Sequence, residues 1–395
     1  MNNKYQILPV LWLIIAILGG ASLLLSFVAL ILLFIMYNGV NDTNAVMLVS
    51  VSLLAILSGG GGLWAGITGW KQTPSPRNYG HKSWIVWSAL TLLTLLVGIF
   101  VPASRHGNPL FAPLHLGLIL FPALLLMTLM MLIAGRHHAP TLRQTVLTLS
   151  GSALSAGLAL PLELISFIIS GILVVGIAYL LPGGETEVTQ LLTTFETWQI
   201  SPPSDFDEIF GLLSSPVVLA TLTLVLAVLA PLIEEFGKTL ILGGLGIWQR
   251  PSLTRAFLWG ALCGLGFAIL EGVTNGAMGL GKVAGWIGGA GTRFLATGMH
   301  TLTSGFIGLG WGLLWQKRWW WAIPLSYIAA VAFHGLWNLN IVLTIGGASI
   351  GDTQSPVGYV LMILGMTIAM GLILLLPVGL FGLPWMLRRR QEKSA

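Results

Sequence analysis

Apolar residues fill the chain in long blocks separated by short polar breaks. Ten blocks can be drawn, at 8–37, 45–69, 84–103, 110–134, 146–181, 216–246, 257–275, 292–315, 321–346 and 357–385. Nearly all reach the ~20 residues that an α-helix needs to cross ~30 Å of hydrocarbon. No stretch alternates with the ten-residue rhythm of an outer-membrane barrel strand. The pattern predicts an all-α fold, a polytopic integral membrane bundle of about ten transmembrane helices. The first block is far longer than the ~7–15-residue core of a signal peptide and lacks a small-x-small cleavage site, so it is expected to remain as a span. Pro161 and Pro231 lie in the two longest blocks, which are expected to kink or break. Gly59 to Gly62 read as a place where helices pack closely.

The polar breaks carry the orientation. With both termini in the cytoplasm, Lys4, Lys71, Arg77, Lys82, Arg136, Arg143, Arg250, Arg255, Lys317, Arg318, Arg388, Arg389, Arg390 and Lys393 share that side, 14 of the 18 Lys and Arg. Arg105, Lys282 and Arg293 fall on the other side, and Lys238 lies within a span. The break at 182–215 holds Glu185, Glu187, Glu196, Asp205, Asp207 and Glu208 without a single Lys or Arg. The positive-inside rule then selects a multi-pass protein of the cell membrane with both termini cytoplasmic. The expected organisation is an N-terminal five-span region at 1–181, an acidic extracytoplasmic loop at 182–215, a four-helix core at 216–346, and a last span with a basic tail at 347–395.

Composition narrows the function. Only 8% of the 395 residues are charged, against ~25% in a soluble domain, which excludes an ordinary soluble enzyme. The formal charge of +5 is accounted for by topology and by contact with the lipid bilayer, and implies no nucleic acid. The single cysteine, Cys263, rules out an intrachain disulfide and a cysteine-based metal site. It reads as a small buried hydrophobe.

Ionisable side chains inside hydrocarbon cost roughly 2.5–3.5 kcal/mol each on insertion scales, so those that persist are functional candidates. The first five blocks hold only His115 and Glu163, which read as structural or interfacial. The sixth to ninth hold Glu234, Glu235, Lys238, Glu271, His300 and His334, with the amides Asn275, Asn338 and Asn340. Lys238 lies four residues after Glu234 and three after Glu235, so its ammonium can reach either from the next turn. The two carboxylates differ by about 100° around a helix, so that one can face a reaction cavity and the other a supporting partner. His334 and Asn338 share a helix face.

These signatures, Glu234-Glu235-Phe236-Gly237-Lys238, Phe267-x-x-x-Glu271, the isolated His300 and His334-x-x-x-Asn338, together resemble the PrsW family of intramembrane proteases. That family lies within the larger group that includes the CAAX-processing prenyl endopeptidases. The motifs span about Ala230 to Asn340. The resemblance implies hydrolysis of a peptide bond in or near the membrane-embedded part of a membrane-anchored protein substrate. In the prenyl endopeptidases a His tends to stand where this chain has Glu271.

Peptide hydrolysis needs an activated water, an acid for the leaving amine and donors for the oxyanion. Glu234 is expected as general base, with Glu235 held by Lys238 behind it. Glu271, His300 and His334, with or without Glu234, form a donor set compatible with Zn2+. Without a metal they would position the water, while His334 and Asn338 donate to the oxyanion. The sequence is compatible with both versions. No His-Glu-x-x-His occurs, and Asp42, Asp205, Asp207 and Asp352 all fall in breaks, leaving no intramembrane aspartyl dyad. Ser304, four residues after His300, lacks a Gly-x-Ser-Gly setting. A non-catalytic scaffold subunit and a proton-coupled transporter are the alternatives.

Overall fold

The computed structural model describes residues 9–37, 42–76, 82–200, 211–351 and 355–394. Lys4, Arg77, Asp205, Asp207, Glu208 and Asp352 therefore lie outside the described residues. The helices are α1 (Pro9–Met36), α2 (Thr43–Trp70), α3 (Ser83–Phe100), α4 (Ala112–Ala134), α5 (Leu142–Tyr179), α6 (Gly184–Ile200), α7 (Pro216–Leu224), α8 (Ala230–Gln249), α9 (Leu253–Gly276), α10 (Val283–Lys317), α11 (Ala322–Gly351), α12 (Pro356–Pro377) and α13 (Leu383–Ser394). No strand occurs among the described residues, and the protein is a polytopic helical membrane bundle. Backbone polar groups in hydrocarbon have no water to bond, which helices resolve internally.

Among the described residues nine helical stretches are long and apolar enough to cross a membrane. The block at 292–315 is absent from them, although it lies within the 35-residue α10. That helix carries Thr297, His300, Thr301, Thr303 and Ser304, all buried. A helix sheathed by protein needs no apolar exterior. A second departure is the 182–215 break, which contains helix α6 with Glu185 and Glu187 in its first turn, where acidic residues favour the helix dipole.

The chain forms two compact units. The first comprises Met1–Gly157, Glu235–Ala330 and Leu376–Ala395. Glycine sets how near its helices come. A Cβ on Gly59 would stand 2.6 Å from the backbone nitrogen of Leu23, so α1 and α2 approach through small residues as the Gly59–Gly62 run suggests. Gly260 and Gly264 of α9 leave no room for a Cβ against the carbonyls of Ser304 and His300 on α10. This backbone-to-backbone approach brings the polar face of α10 to α9. Cys263 is buried beside Trp12, Leu242 and Trp259, a packing residue.

The polar breaks of this unit gather in two groups. In one, Arg143 donates through its backbone N–H to Ser75 Oγ at 3.0 Å, Arg255 Nη2 to the His137 carbonyl at 2.7 Å, and Arg388 Nη1 to the Ile133 carbonyl at 3.2 Å. In the other, the Asp42 N–H donates to the Gly107 carbonyl at 2.8 Å, and His106 stacks on Phe111 with ring centroids 4.2 Å apart. His115 is buried and bonded to the Val273 carbonyl at 2.9 Å, a structural histidine.

The second unit comprises Leu158–Glu234 and Val331–Leu375. Helix α5 runs on through Pro161. Glu187 of α6 accepts the Ser215 hydroxyl at 2.6 Å and the Val217 N–H at 3.1 Å, securing the start of α7. Between α7 and α8 the helix widens into a π-turn at Val225–Leu229. Pro231 follows two residues later and has no N–H to give back to the preceding turn. The irregularity that Pro231 predicts thus takes the form of a π-turn.

Candidate active site

The expected residues fall into two clusters, one in each unit. In the first unit Glu235, fully buried, accepts three side-chain donors from two helices. Lys238 Nζ stands 2.9 Å from its Oε1, the Thr303 hydroxyl donates to Oε1 at 2.9 Å, and the Ser304 hydroxyl donates to Oε2 at 3.2 Å. An ion pair taken wholly out of water needs such additional bonds to offset desolvation. Neither Thr303 nor Ser304 belongs to the four motifs. Their spacing of three and four from His300, on the same helix face, was the signal available.

Lys238 is also fully buried and continues the chain of contacts. Its Nζ lies 2.7 Å from His300 Nδ1 and 4.3 Å from the centre of the Phe267 ring. The opposite nitrogen of His300, Nε2, is 2.6 Å from Glu271 Oε2. Glu271 Oε1 is met by Arg293 Nη2 at 3.0 Å and by Asn275 Nδ2 at 3.0 Å. The order is Glu235, Lys238, His300, Glu271, Arg293, with Phe267 as an apolar wall. Phe267 and Glu271 share a face of α9 at i,i+4, which brings the Phe267 ring centre to 5.7 Å from the His300 ring while Glu271 meets Nε2.

In the second unit Glu234 and His334 are both buried, with His334 Nε2 3.8 Å from Glu234 Oε2. That is beyond hydrogen-bond reach. The two residues after His334 in the motif fix its position by backbone fit. Gly335 lies where a Cβ would collide with the Ala227 carbonyl, and Asn338 Nδ2 donates to the Leu226 carbonyl at 2.8 Å. Both carbonyls belong to the π-turn that precedes Glu234. Pro231, four residues after Ala227, is unable to use the Ala227 carbonyl. The π-turn therefore exposes carbonyls that the His-Gly-x-x-Asn face of α11 reads. One amide N–H of Asn338 makes this docking contact.

Distances between the donors bear on whether they fit a metal. Two ligands ~2.0–2.2 Å from a tetrahedral zinc stand about 3.3–3.6 Å apart. The 3.8 Å between Glu234 and His334 is close to that spacing. The 2.6 Å between His300 and Glu271 is too short for two ligands of one ion and fits a hydrogen bond. A carboxylate bonded to an imidazole in this way is the arrangement that commonly stands behind metal-bound histidines.

No curated protein and no solved structure matches the chain. Among protein families, residues 162–372 match the PrsW family intramembrane metalloproteases. The match covers more than half of the chain and reaches beyond the motifs, taking in the second half of α5, the acidic helix α6 and most of α12. The chain belongs to the PrsW family of intramembrane metalloproteases.

Proposed function

We propose that the protein cleaves a membrane-anchored protein within or beside its membrane segment, with Glu234 activating the attacking water. The observation that supports this assignment is the contrast between neighbouring carboxylates. Glu235 is bonded by Lys238, Thr303 and Ser304, whereas Glu234 lies 3.8 Å from the His334 imidazole, close to the spacing of two ligands on one zinc. A base must have an oxygen able to take a proton from water.

Glu234 and His334 are the proposed metal donors, zinc fits their chemistry, and the motif residue His300 is proposed to serve the same reaction. A bound zinc would lower the pKa of water and polarise the scissile carbonyl. In this reading Glu235 and Lys238 are the support of the reactive carboxylate, and Asn338 anchors the helix that carries His334. Both termini are placed in the cytoplasm of a cell-membrane protein, on the distribution of Lys and Arg.

The test is Glu234→Gln. Terminal-labelling mass spectrometry of membranes containing the wild-type protein should find new peptide termini near transmembrane segments. The same membranes with folded Glu234→Gln should lack them, since loss of a general base costs ~10²–10⁴ in rate. Undiminished termini in the variant would remove Glu234 as the base. A scaffold or transporter would yield no new termini with either form.

A further inference from the structure

Arg293 has no part in the family motifs, and in the sequence it counts only as one of the basic residues away from the cytoplasm. In the structure it reaches the polar cluster of the first unit. It lies on α10 seven residues before His300, two helical turns away on the same face. Both residues extend to a single carboxylate on α9. Arg293 Nη2 stands 3.0 Å from Glu271 Oε1, and His300 Nε2 stands 2.6 Å from Oε2. Gly272 and Gly276 line the path of the arginine stem, since a Cβ on either would come within 3.9 Å of its Cβ or Cγ. Asn275 Nδ2 adds a third contact, to Oε1 at 3.0 Å.

The consequence lies at the His300 ring. A Lys ammonium offers donors and no acceptor, so Nδ1 facing Lys238 at 2.7 Å must accept. The ring proton then sits on Nε2 and points at Glu271 Oε2. For that to hold, the Glu271 carboxylate has to stay in one plane and one rotamer. Two donors on Oε1, one from a guanidinium with fixed geometry, do this.

We infer that Arg293 is a positioning residue of the active site, clamping Glu271 so that it holds His300 in its Nε2–H form. The inference rests on the reading that His300 serves the reaction. A residue that only neutralised Glu271 would be replaceable by any cation.

Nitrogen-15 imidazole spectra of the full chain in lipid nanodiscs, with His300 assigned by comparison with His300→Gln, read the tautomer without substrate. The wild type should give the Nε2–H pattern. Arg293→Gln should give a tautomer mixture, and turnover of a substrate identified by terminal mapping should fall about 10–100-fold with KM unchanged within twofold. Arg293→Lys, which keeps the charge and loses the fork, should fall between the two in both measurements. An unchanged His300 pattern in Arg293→Gln, or wild-type turnover in it while Glu234→Gln is inactive, overturns the inference. If Arg293→Gln does not fold, Arg293→Lys decides, and equality with wild type in tautomer and turnover overturns it. Activity retained in Glu234→Gln would sink the proposed function alone, leaving the tautomer measurement to judge Arg293.

Discussion

Glu234 and Glu235 are the same side chain on consecutive residues, yet they belong to different kinds of surroundings. Glu235 sits in a cluster where an ammonium and two hydroxyls converge on its two oxygens. Glu234 is set against His334 at 3.8 Å, on a helix whose entry is a π-turn and whose partner helix is docked by Gly335 and Asn338. One environment is built from side-chain hydrogen bonds and makes its carboxylate part of the scaffold. The other is built from backbone fit. It sets two potential ligands 3.8 Å apart. In the proposed function the supporting and the reactive roles thus fall on consecutive residues of one helix.

The largest effect expected from breaking this contrast is on folding, at Glu235. Glu235→Gln would leave the Lys238 ammonium buried without its counter-charge, and removing one partner of a buried pair costs about 3–5 kcal/mol. A fall in the yield of monodisperse protein and in its thermal midpoint should follow. Glu234→Gln should leave both near wild type and remove cleavage. If both variants fold equally well, the division into scaffold and reactive carboxylate is wrong.

The sequence shows much of this division because membranes make polar residues conspicuous. Glu234, Glu235, Lys238, Glu271, His300 and His334 stand out in apolar blocks, and helical spacing alone predicts that Lys238 meets a carboxylate from the next turn. The choice between the two carboxylates depends on Thr303 and Ser304, which hydropathy treats as unremarkable. The π-turn is equally hidden. Pro231 signals an irregular helix, but the form it takes depends on which helix reads the released carbonyls. Helix α10 is less apolar than the other spans over the stretch 296–310, where protein buries it, and burial by neighbours leaves no trace in local composition. Arg293 looks like a charge of the outer side until α9 and α10 are brought together through Gly260 and Gly264.

The backbone-fit half of the comparison is sharpened at Gly335. Gly335→Ala places a methyl group against the Ala227 carbonyl, and overpacking of this kind costs typically ~1–3 kcal/mol. The expected outcome is a folded protein, less stable than wild type by that amount, whose cleavage rate falls more than its thermal midpoint suggests. Asn338→Ala removes one neutral hydrogen bond to the same π-turn, worth about 1 kcal/mol, and should act in the same direction more weakly. Measured side by side by thermal unfolding in lipid and by cleavage rate, the two variants should rank in that order. The opposite ranking would mean that the amide of Asn338, and not close backbone approach, sets His334.

The smallest effect concerns pH and separates the scaffold from the site. His138 lies outside the spans, beside Ser252 at 3.4 Å. Burial, reinforced by the Arg255 charge, holds its pKa below the ordinary 6.5. The folded protein therefore binds fewer protons there than the unfolded chain, and stability rises with pH through this range. Its contribution is complete above pH 6.5 and is lost as the pH falls through 6.5 toward the lower folded value. Thermal midpoints between pH 7.5 and 5.5 should decline slightly more in wild type than in His138→Gln, while cleavage at neutral pH stays equal in the two. Any pH dependence of cleavage that survives in His138→Gln then belongs to the membrane-embedded clusters or to the substrate, and not to this loop. Equal slopes of stability in the two proteins would show that His138 is as readily protonated in the fold as out of it, and that its burial beside Arg255 does not govern acid sensitivity at this end of the bundle.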